Sequence, residues 1–507
     1  MCKKLTFLFL AVLSMVSCKK DKEPNLSSLK ETKEIYTPDW ESLAKHKTAP
    51  DWLSDAKFGI YFHWGVYTVP AYENEWYPSK MYIKDHPVYK HHLKTYGSQK
   101  EFGYHHFVPD FKAEHFDAEE WVSLFKKAGA KFAGPVAQHH DGFAMWKSEV
   151  NPWNSFDKGP KKDITGEIAK AIRKNDMKLI TTFHHARNLQ RNTHQPENWG
   201  DFNSHYTYNP DWHTSSKDPE LSILYGNIPK EKFHQNWARQ INEVVDQYHP
   251  DAIWFDSWLD FIPEKIRQQM CADYFNEAAK NDQEVFIGYK QRDLPKEIGV
   301  LDIEQGGKKD ITEKLWMTDI TLSYKSWSYV EGQTYKDTHM VMSNLIDVVS
   351  KNGVVLLNVS PKADGTIPQE QRKILLEMGD WFSKYGEAIY NTKPWDVFGF
   401  GNAQSEEGVH GGQSATIKYT ADDIRITQSK DEKSMYLIFL GKPKVGKEVS
   451  LRLLAKHRLP PRSNIKRIVV LGSETEVAYD WGHSGFKLTI PDAPMSDIAT
   501  VLKFELE

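Results

Sequence analysis

Short apolar runs that stop abruptly at polar residues recur along the first three-quarters of the chain, with longer segments of helical periodicity between them. The runs at 57–62, 131–137, 178–183, 252–255, 285–288 and 353–357 predict strands. Asp117 predicts a helix start, with Trp121, Leu124 and Phe125 at helical spacing and Gly129 as the stop. Further helices are predicted over 164–175, 237–248, 263–280, which opens on a proline, and 336–350. The strand runs are continuously apolar, as expected of strands buried on both faces. Such alternation predicts a parallel sheet covered on its outside, and about eight strand–helix units would fit before residue 390. A closed (β/α)8 TIM-like barrel is therefore favoured over an open doubly wound sheet. Between 70 and 108 lies an aromatic, histidine-rich loop with no regular pattern.

After a predicted helix at 369–385 the period changes. Short runs of mixed alternation at 414–419, 423–427, 434–439, 450–453 and 468–470, separated by glycine and charged turns, predict an antiparallel β-sandwich. The organisation read from this is a signal peptide at 1–18, a tether at 19–45, a catalytic barrel at 46–394 and a sandwich at 395–507. Lys3 and Lys4 precede an apolar run, 5–16, that falls short of the roughly 20 residues needed to cross a bilayer. Its end, Met15-Val16-Ser17-Cys18, resembles a bacterial lipobox, which implies cleavage before Cys18, a lipid anchor on that thiol, and an exported periplasmic or outer-membrane-associated lipoprotein. A plain secretory signal is the alternative. Cys271 lies in a helical apolar pattern and is expected in the core.

Charge narrows the choice of partner. A net charge of −4 with both signs mixed supplies no field for nucleic acid or an acidic membrane surface. The 17 Trp and 23 Tyr suit stacking on sugar rings, although a large core uses the same residues. No glycine-rich dinucleotide fingerprint follows a predicted strand, which argues against an NAD enzyme.

In a barrel the reactive residues sit at the C-terminal ends of the strands. The residues that follow the predicted strands are His63, His139, His140, His184, His185, Asp256, Arg292 and Asn358, drawn from distant parts of the chain. Two chemistries could use them. A metal centre is disfavoured because no His-X-His or His-Glu-X-X-His is present and adjacent strand side chains point opposite ways. Glycoside hydrolysis needs one carboxylate and one carboxylic acid across a sugar pocket. Asp256, short and at a strand end next to Trp254 and Trp258, fits the first role.

Phe62-His63-Trp64-Gly65, Glu75-Trp76-Tyr77, His139-His140-Asp141-Gly142-Phe143, Trp254-Phe255-Asp256 and the run from Lys351 to Pro368 together resemble the α-L-fucosidases of glycoside hydrolase family 29. The resemblance covers about residues 52–395. It implies a retaining exo-hydrolase that releases terminal α-L-fucose from a fucosylated glycan or polysaccharide, without metal or cofactor. Asp256 would be the nucleophile, and His63, Glu75, Trp76, His139, His140 and Trp254 would line the sugar pocket, with His184 beside them. Arg292 could bond the nucleophile or a hydroxyl. The resemblance places the proton donor at Glu304, with Glu297 and Glu313 as rivals. The sequence departs from the common pattern at Gln138, where lysine is frequent, at Ser257, where glycine is frequent, and at His184-His185, where tyrosine often stands. Those departures do not touch the two-carboxylate chemistry but leave open the leaving group and a relative acting on another sugar, such as a galactoside; a non-catalytic sugar-binding protein is a separate alternative.

Overall fold

A computed structural model describes residues 35–190, 204–405, 416–451, 465–482 and 485–507. The signal segment with Cys18, and the tether as far as residue 34, lie outside the described residues. The remainder of the tether is not free of the fold. A short helix, Trp40–Leu43, is capped by Asp39, whose side chain accepts from the Ser42 amide. Tyr36 and Asn276 exchange backbone–side-chain hydrogen bonds of 2.9 and 2.8 Å, and Leu43 is fully buried. Among the described residues no helix is long and apolar enough to cross a membrane.

Eight parallel strands close into a barrel in sequence order. They are β1 (Phe58–Phe62), β2 (Phe132–Gln138), β3 (Lys178–Phe183), β4 (Ala252–Phe255), β5 (Phe286–Lys290), β6 (Val300–Asp302), β7 (Trp316–Thr321) and β8 (Gly353–Val359). Nearly every strand position is buried, which explains the unbroken apolar runs. The helix Ala118–Lys127 begins where expected, with Asp117 accepting from the Glu120 amide at 3.0 Å. The helices Ile164–Lys174, Lys230–Tyr248, Glu264–Lys280, Thr338–Ser350 and Gln369–Tyr385 pack around the barrel. Cys271 is a free, buried thiol in Glu264–Lys280.

Two strands escape the periodicity. β6 spans only three residues, and the connections leaving β5 and β6 contain no α-helix, so this arc lacks the strand–helix rhythm. The loop 70–108 also holds more structure than its pattern shows, including the helix Pro87–Thr95, whose cap is His86.

Inside the barrel, Tyr61, Trp254, Phe286, Val300, Met317 and Leu356 belong to one buried cluster. Gly288 pairs with Trp254 across the β4–β5 ladder, and a Cβ on it would meet the Trp254 ring at 2.3 Å. The missing side chain is therefore what lets the indole lie across the barrel.

Beyond residue 392 the strands are β9 (Thr392–Phe400), β10 (Ile424–Ser429), β11 (Ser434–Phe439), β12 (Glu448–Ser450), β13 (Ile465–Val470), β14 (Thr475–Glu476), β15 (Tyr479–Gly482), β16 (Gly485–Thr489) and β17 (Thr500–Leu506). They form an antiparallel six-stranded sheet, order β14-β13-β17-β11-β10-β9, and a three-stranded sheet, β12-β16-β15. Ile426 and Leu437 of the first share a core with Val449, Phe486 and Leu488 of the second. The two sheets thus pack as a sandwich. The run expected at 414–419 is not a strand over its described part, 416–419.

Candidate active site

The site is a pocket of about 140 Å³ at the C-terminal mouth of the barrel, lined by residues from both early and late strands. His63 follows β1, His139 and His140 follow β2, His184 follows β3, and Asp256 follows β4. Glu75 and Trp76 come from the loop after β1, and Glu304 from the turn after β6. Adjacent histidines behave differently at two strand ends. β2 stops at Gln138 and the chain turns at once, so His139 and His140 both reach the pocket. At the end of β3 the alternation persists. His184 faces the pocket, while His185 packs against Phe183 and Trp237.

Asp256 continues the β3–β4 ladder, its amide donating to the Phe183 carbonyl at 3.1 Å. Its Oδ2 lies 3.2 Å from His140 Nε2 and 3.5 Å from His184 Nδ1, and its Oδ1 lies 3.0 Å from Lys290 Nζ. Burial works against ionisation of this carboxyl. The Lys290 ammonium and the two imidazoles outweigh it and hold the group well below the usual carboxylate range.

Lys290 is the centre of a larger charge cluster. Its Nζ also reaches Glu304 Oε2 at 2.8 Å and Asp319 Oδ2 at 3.3 Å, and it stands 5.0 Å above the Trp254 ring. Burial favours the neutral amine, but Asp256, Asp319, Glu304 and Asp302 together push its pKa well above the ordinary lysine value. Tyr61 donates to Asp319 at 3.0 Å, and Trp254 donates to Asp302 at 3.3 Å. Asp302 is fully buried, and burial and then the neighbouring Asp319 carboxylate raise its pKa well above normal.

Contacts of 3.0 and 2.8 Å to one nitrogen cap the separation of Asp256 Oδ1 and Glu304 Oε2 at their sum, about 5.8 Å. That is compatible with the roughly 5–5.5 Å of a retaining pair and short of the roughly 6.5–9.5 Å of an inverting one.

The walls are held from behind. His63 shares a 2.7 Å hydrogen bond through Nδ1 with Asn358 Oδ1, and Asn358 Nδ2 donates to the Trp327 carbonyl at 2.7 Å. The Trp327 amide donates to Glu75 Oε2 at 3.0 Å. Burial raises the Glu75 pKa, opposed by these backbone donors. At the rim the Arg187 guanidinium stacks on Trp258 at 4.5 Å and on Trp76 at 5.2 Å.

Two expected pocket residues lie elsewhere. Arg292 is exposed and borders a different cavity with Asp260, Asp293 and Lys308. β5 ends at Lys290, and Gln291 takes a left-handed conformation, φ 56°, which turns the chain outward before Arg292. The cation beside Asp256 is Lys290, two residues earlier on the inward face. Trp254 also faces the barrel interior, but it lies beneath the pocket, covered by His184 and Lys290. The rivals to Glu304 are likewise outside the pocket lining. Glu297 pairs with the surface Lys296 and Lys314, and Glu313 lies in the exposed turn before β7.

Sequence reasoning did not find Lys290, Asp302, Asp319 or Trp327. A strand continued past Gly288 at period two would have put Lys290 on the inward face as a lone charge. Met317 and Asp319 share a face of β7 in the same way.

The α-L-fucosidase family model matches residues 25–387. Tissue α-L-fucosidase of Rattus norvegicus is 29% identical over 468 residues, covering 90% of this chain and 89% of its own. The Homo sapiens tissue enzyme is 28% identical, with coverage of 91% and 89%. The solved structure of Thermotoga maritima α-fucosidase in complex with fucose superposes with a TM-score of 0.71 at 29% identity, over 92% of this chain and 100% of that one. The motifs that converge on the pocket lie within the matched region, and the chain belongs to the α-L-fucosidase family.

Proposed function

We propose that the protein is an exo-acting, retaining α-L-fucosidase in which Asp256 is the nucleophile and Glu304 the proton donor. The observation that carries this is the pair of carboxyl groups on one ammonium, at a separation of at most about 5.8 Å. The pocket volume, about 140 Å³, is below the roughly 300–1,000 Å³ of common ligand sites and suits one terminal sugar ring.

In this reading Asp256 attacks the anomeric carbon as the bond to the aglycone oxygen breaks, and Glu304 delivers a proton to that oxygen. A covalent fucosyl-enzyme results. Glu304, now ionised, takes a proton from water, whose oxygen displaces Asp256 on the same face that the aglycone left. Two inversions restore the α configuration. Lys290 keeps Asp256 ionised and orients both carboxylates. The imidazoles and Glu75 bond the ring hydroxyls, while Trp76 and Trp327 cover the apolar face and the C5 methyl group.

The test is the anomer first released from an aryl α-L-fucoside, followed by proton NMR before mutarotation. α-L-Fucose is expected. β-L-Fucose first, or faster hydrolysis of the 6-hydroxylated α-L-galactoside, would overturn the assignment.

Export through the N-terminal segment, with a lipid on Cys18, belongs to the same proposal. Lys3, Lys4, the apolar run 5–16 and the small residues before Cys18 support it. Mass spectrometry of the mature N-terminus should find diacylglyceryl on Cys18, and Cys18→Ser should abolish that modification.

A further inference from the structure

Three of the pocket imidazoles form a cluster of their own. His63, His139 and His184 leave three different strands, and one nitrogen of each lies within 4.8 Å of the other two. All three are buried, with ring centroids 4.8 to 5.4 Å apart. Drawn from separate strands, they escape the obstacle that keeps adjacent histidines from chelating.

Their tautomers follow from the neighbours. Asn358 spends its amide hydrogens on Trp327 and Thr321, so its oxygen faces His63 as an acceptor. His63 therefore donates from Nδ1, which leaves a lone pair on Nε2. His139 Nδ1 and His184 Nε2 are buried without a hydrogen-bond partner. Buried imidazole nitrogens with unmet hydrogen-bonding capacity are costly unless a ligand satisfies them. Sugar hydroxyls can do so singly, and one divalent ion can do so at once. Three imidazoles select Zn²⁺, Cu²⁺ or Ni²⁺ rather than Mg²⁺ or Ca²⁺, and three protein nitrogens with an open position suit zinc. The hydrogen bond from His63 to Asn358 is of the kind that orients a metal-bound histidine.

We propose that His63, His139 and His184 form a binding site for a divalent transition-metal ion such as Zn²⁺, and that its occupation excludes the sugar. The ion would occupy the ring position, and His184 is 3.5 Å from Asp256 Oδ2, so the cation would also draw that carboxylate away from an anomeric carbon. It is therefore an inhibitory site. His184 and His185 stand at a strand end where the family often carries tyrosine, and a phenol in place of His184 would supply no imidazole lone pair. His140, His184 and Asp256 satisfy the same distance limit and share His184, so a variant at His139 separates the two sets.

The test is calorimetric titration of Zn²⁺ into the chelator-treated full-length protein at neutral pH, with Co²⁺ absorption as a second readout. One strong site is expected, with visible d–d bands from Co²⁺ in the unmutated protein. His184→Tyr and His139→Gln should each weaken it at least tenfold while keeping the melting temperature. His213→Ala, in the separate cluster of His105, His106 and His213, should leave it unchanged. Absence of the site, loss through His213→Ala, or retention in His139→Gln overturns the assignment. The exclusion of sugar rests on the proposed fucose pocket and has its own arm. Saturating L-fucose should raise the apparent Kd for Zn²⁺, and no effect in a protein that still binds zinc overturns the exclusion while leaving the metal site.

Discussion

Lys290 is the residue on which the charges of the pocket depend. It is buried with four acids around it, and three of them, Asp256, Glu304 and Asp319, line the pocket; Asp256 and Glu304 are the pair proposed to flank the reacting bond. Removing the ammonium leaves those carboxylates facing one another. Lys290→Met should destabilise the fold by about 3–5 kcal/mol in urea unfolding, the usual cost of orphaning a buried ion pair. The pH profile supplies the sign. As the proposed nucleophile Asp256 must be ionised, and Lys290 is the largest influence lowering its pKa. Without it that pKa rises, so the acid limb of kcat/KM should move to higher pH; an unmoved limb would count against the role assigned to Lys290. The two carboxylates separate by product. Asp256→Ala should lose about four orders of magnitude or more in kcat, and azide should then give β-L-fucosyl azide by direct displacement. Glu304→Ala with an activated aryl fucoside should instead give the α azide, because azide attacks the fucosyl-enzyme. The same azide anomer from both variants would refute the division of roles.

At the scale of elements, the barrel was readable wherever strand and helix alternate. Ala252–Phe255 and Gln369–Tyr385 occur at the predicted bounds, and the Asp117 cap is in place. β6 and β7 were not readable, because a three-residue strand gives no period and no helix follows β5 or β6. The acids on those strands, Asp302 and Asp319, were lost with them. Arg292 was misplaced for a related reason: a strand ending at Gly288 leaves it in the loop at the pocket mouth, whereas β5 runs on to Lys290 and the left-handed Gln291 turns the chain outward. Strand spacing itself imposes a further demand. A Cβ at Gly134 would lie 1.6 Å from the Ile180 carbonyl oxygen, a backbone atom of the neighbouring strand. Gly134→Ala should therefore force β2 from β3 and cost at least the roughly 1–3 kcal/mol of an overpacked core, seen as a lower urea midpoint or as insoluble protein.

For the whole molecule, the bond between barrel and sandwich is a buried ionic knot. Asp347, on the helix Thr338–Ser350, accepts from Arg425 of β10 at 2.6 Å, from Lys351 at 2.9 Å and from Ser405 at 2.9 Å. Burial raises the pKa of Asp347, but Arg425 and Lys351 bring it below the ordinary value. A carboxyl depressed in the folded state adds stability that is complete above its unfolded pKa, about 3.9, and lost as pH falls toward the folded value. Arg425→Leu should cost about 3–5 kcal/mol and flatten the loss of stability on acidification, since Asp347 loses its stronger partner. Hydrolysis of a small aryl fucoside by the protein that remains folded should change little, because Arg425 does not line the pocket.

The sequence by itself determined the barrel class, the antiparallel C-terminal domain, and the gathering of His63, His139, His140, His184 and Asp256 at one end. Each of these follows from local periodicity and from the rule that a parallel barrel presents its strand ends together. Tertiary structure alone decided which cation meets Asp256, that Trp254 is floor rather than wall, and that two further acids, Asp302 and Asp319, act on Lys290. Those outcomes depend on where a strand stops, on how side chains of different strands stack in the barrel, and on a turn at one residue. None of these is a property of a single run of sequence.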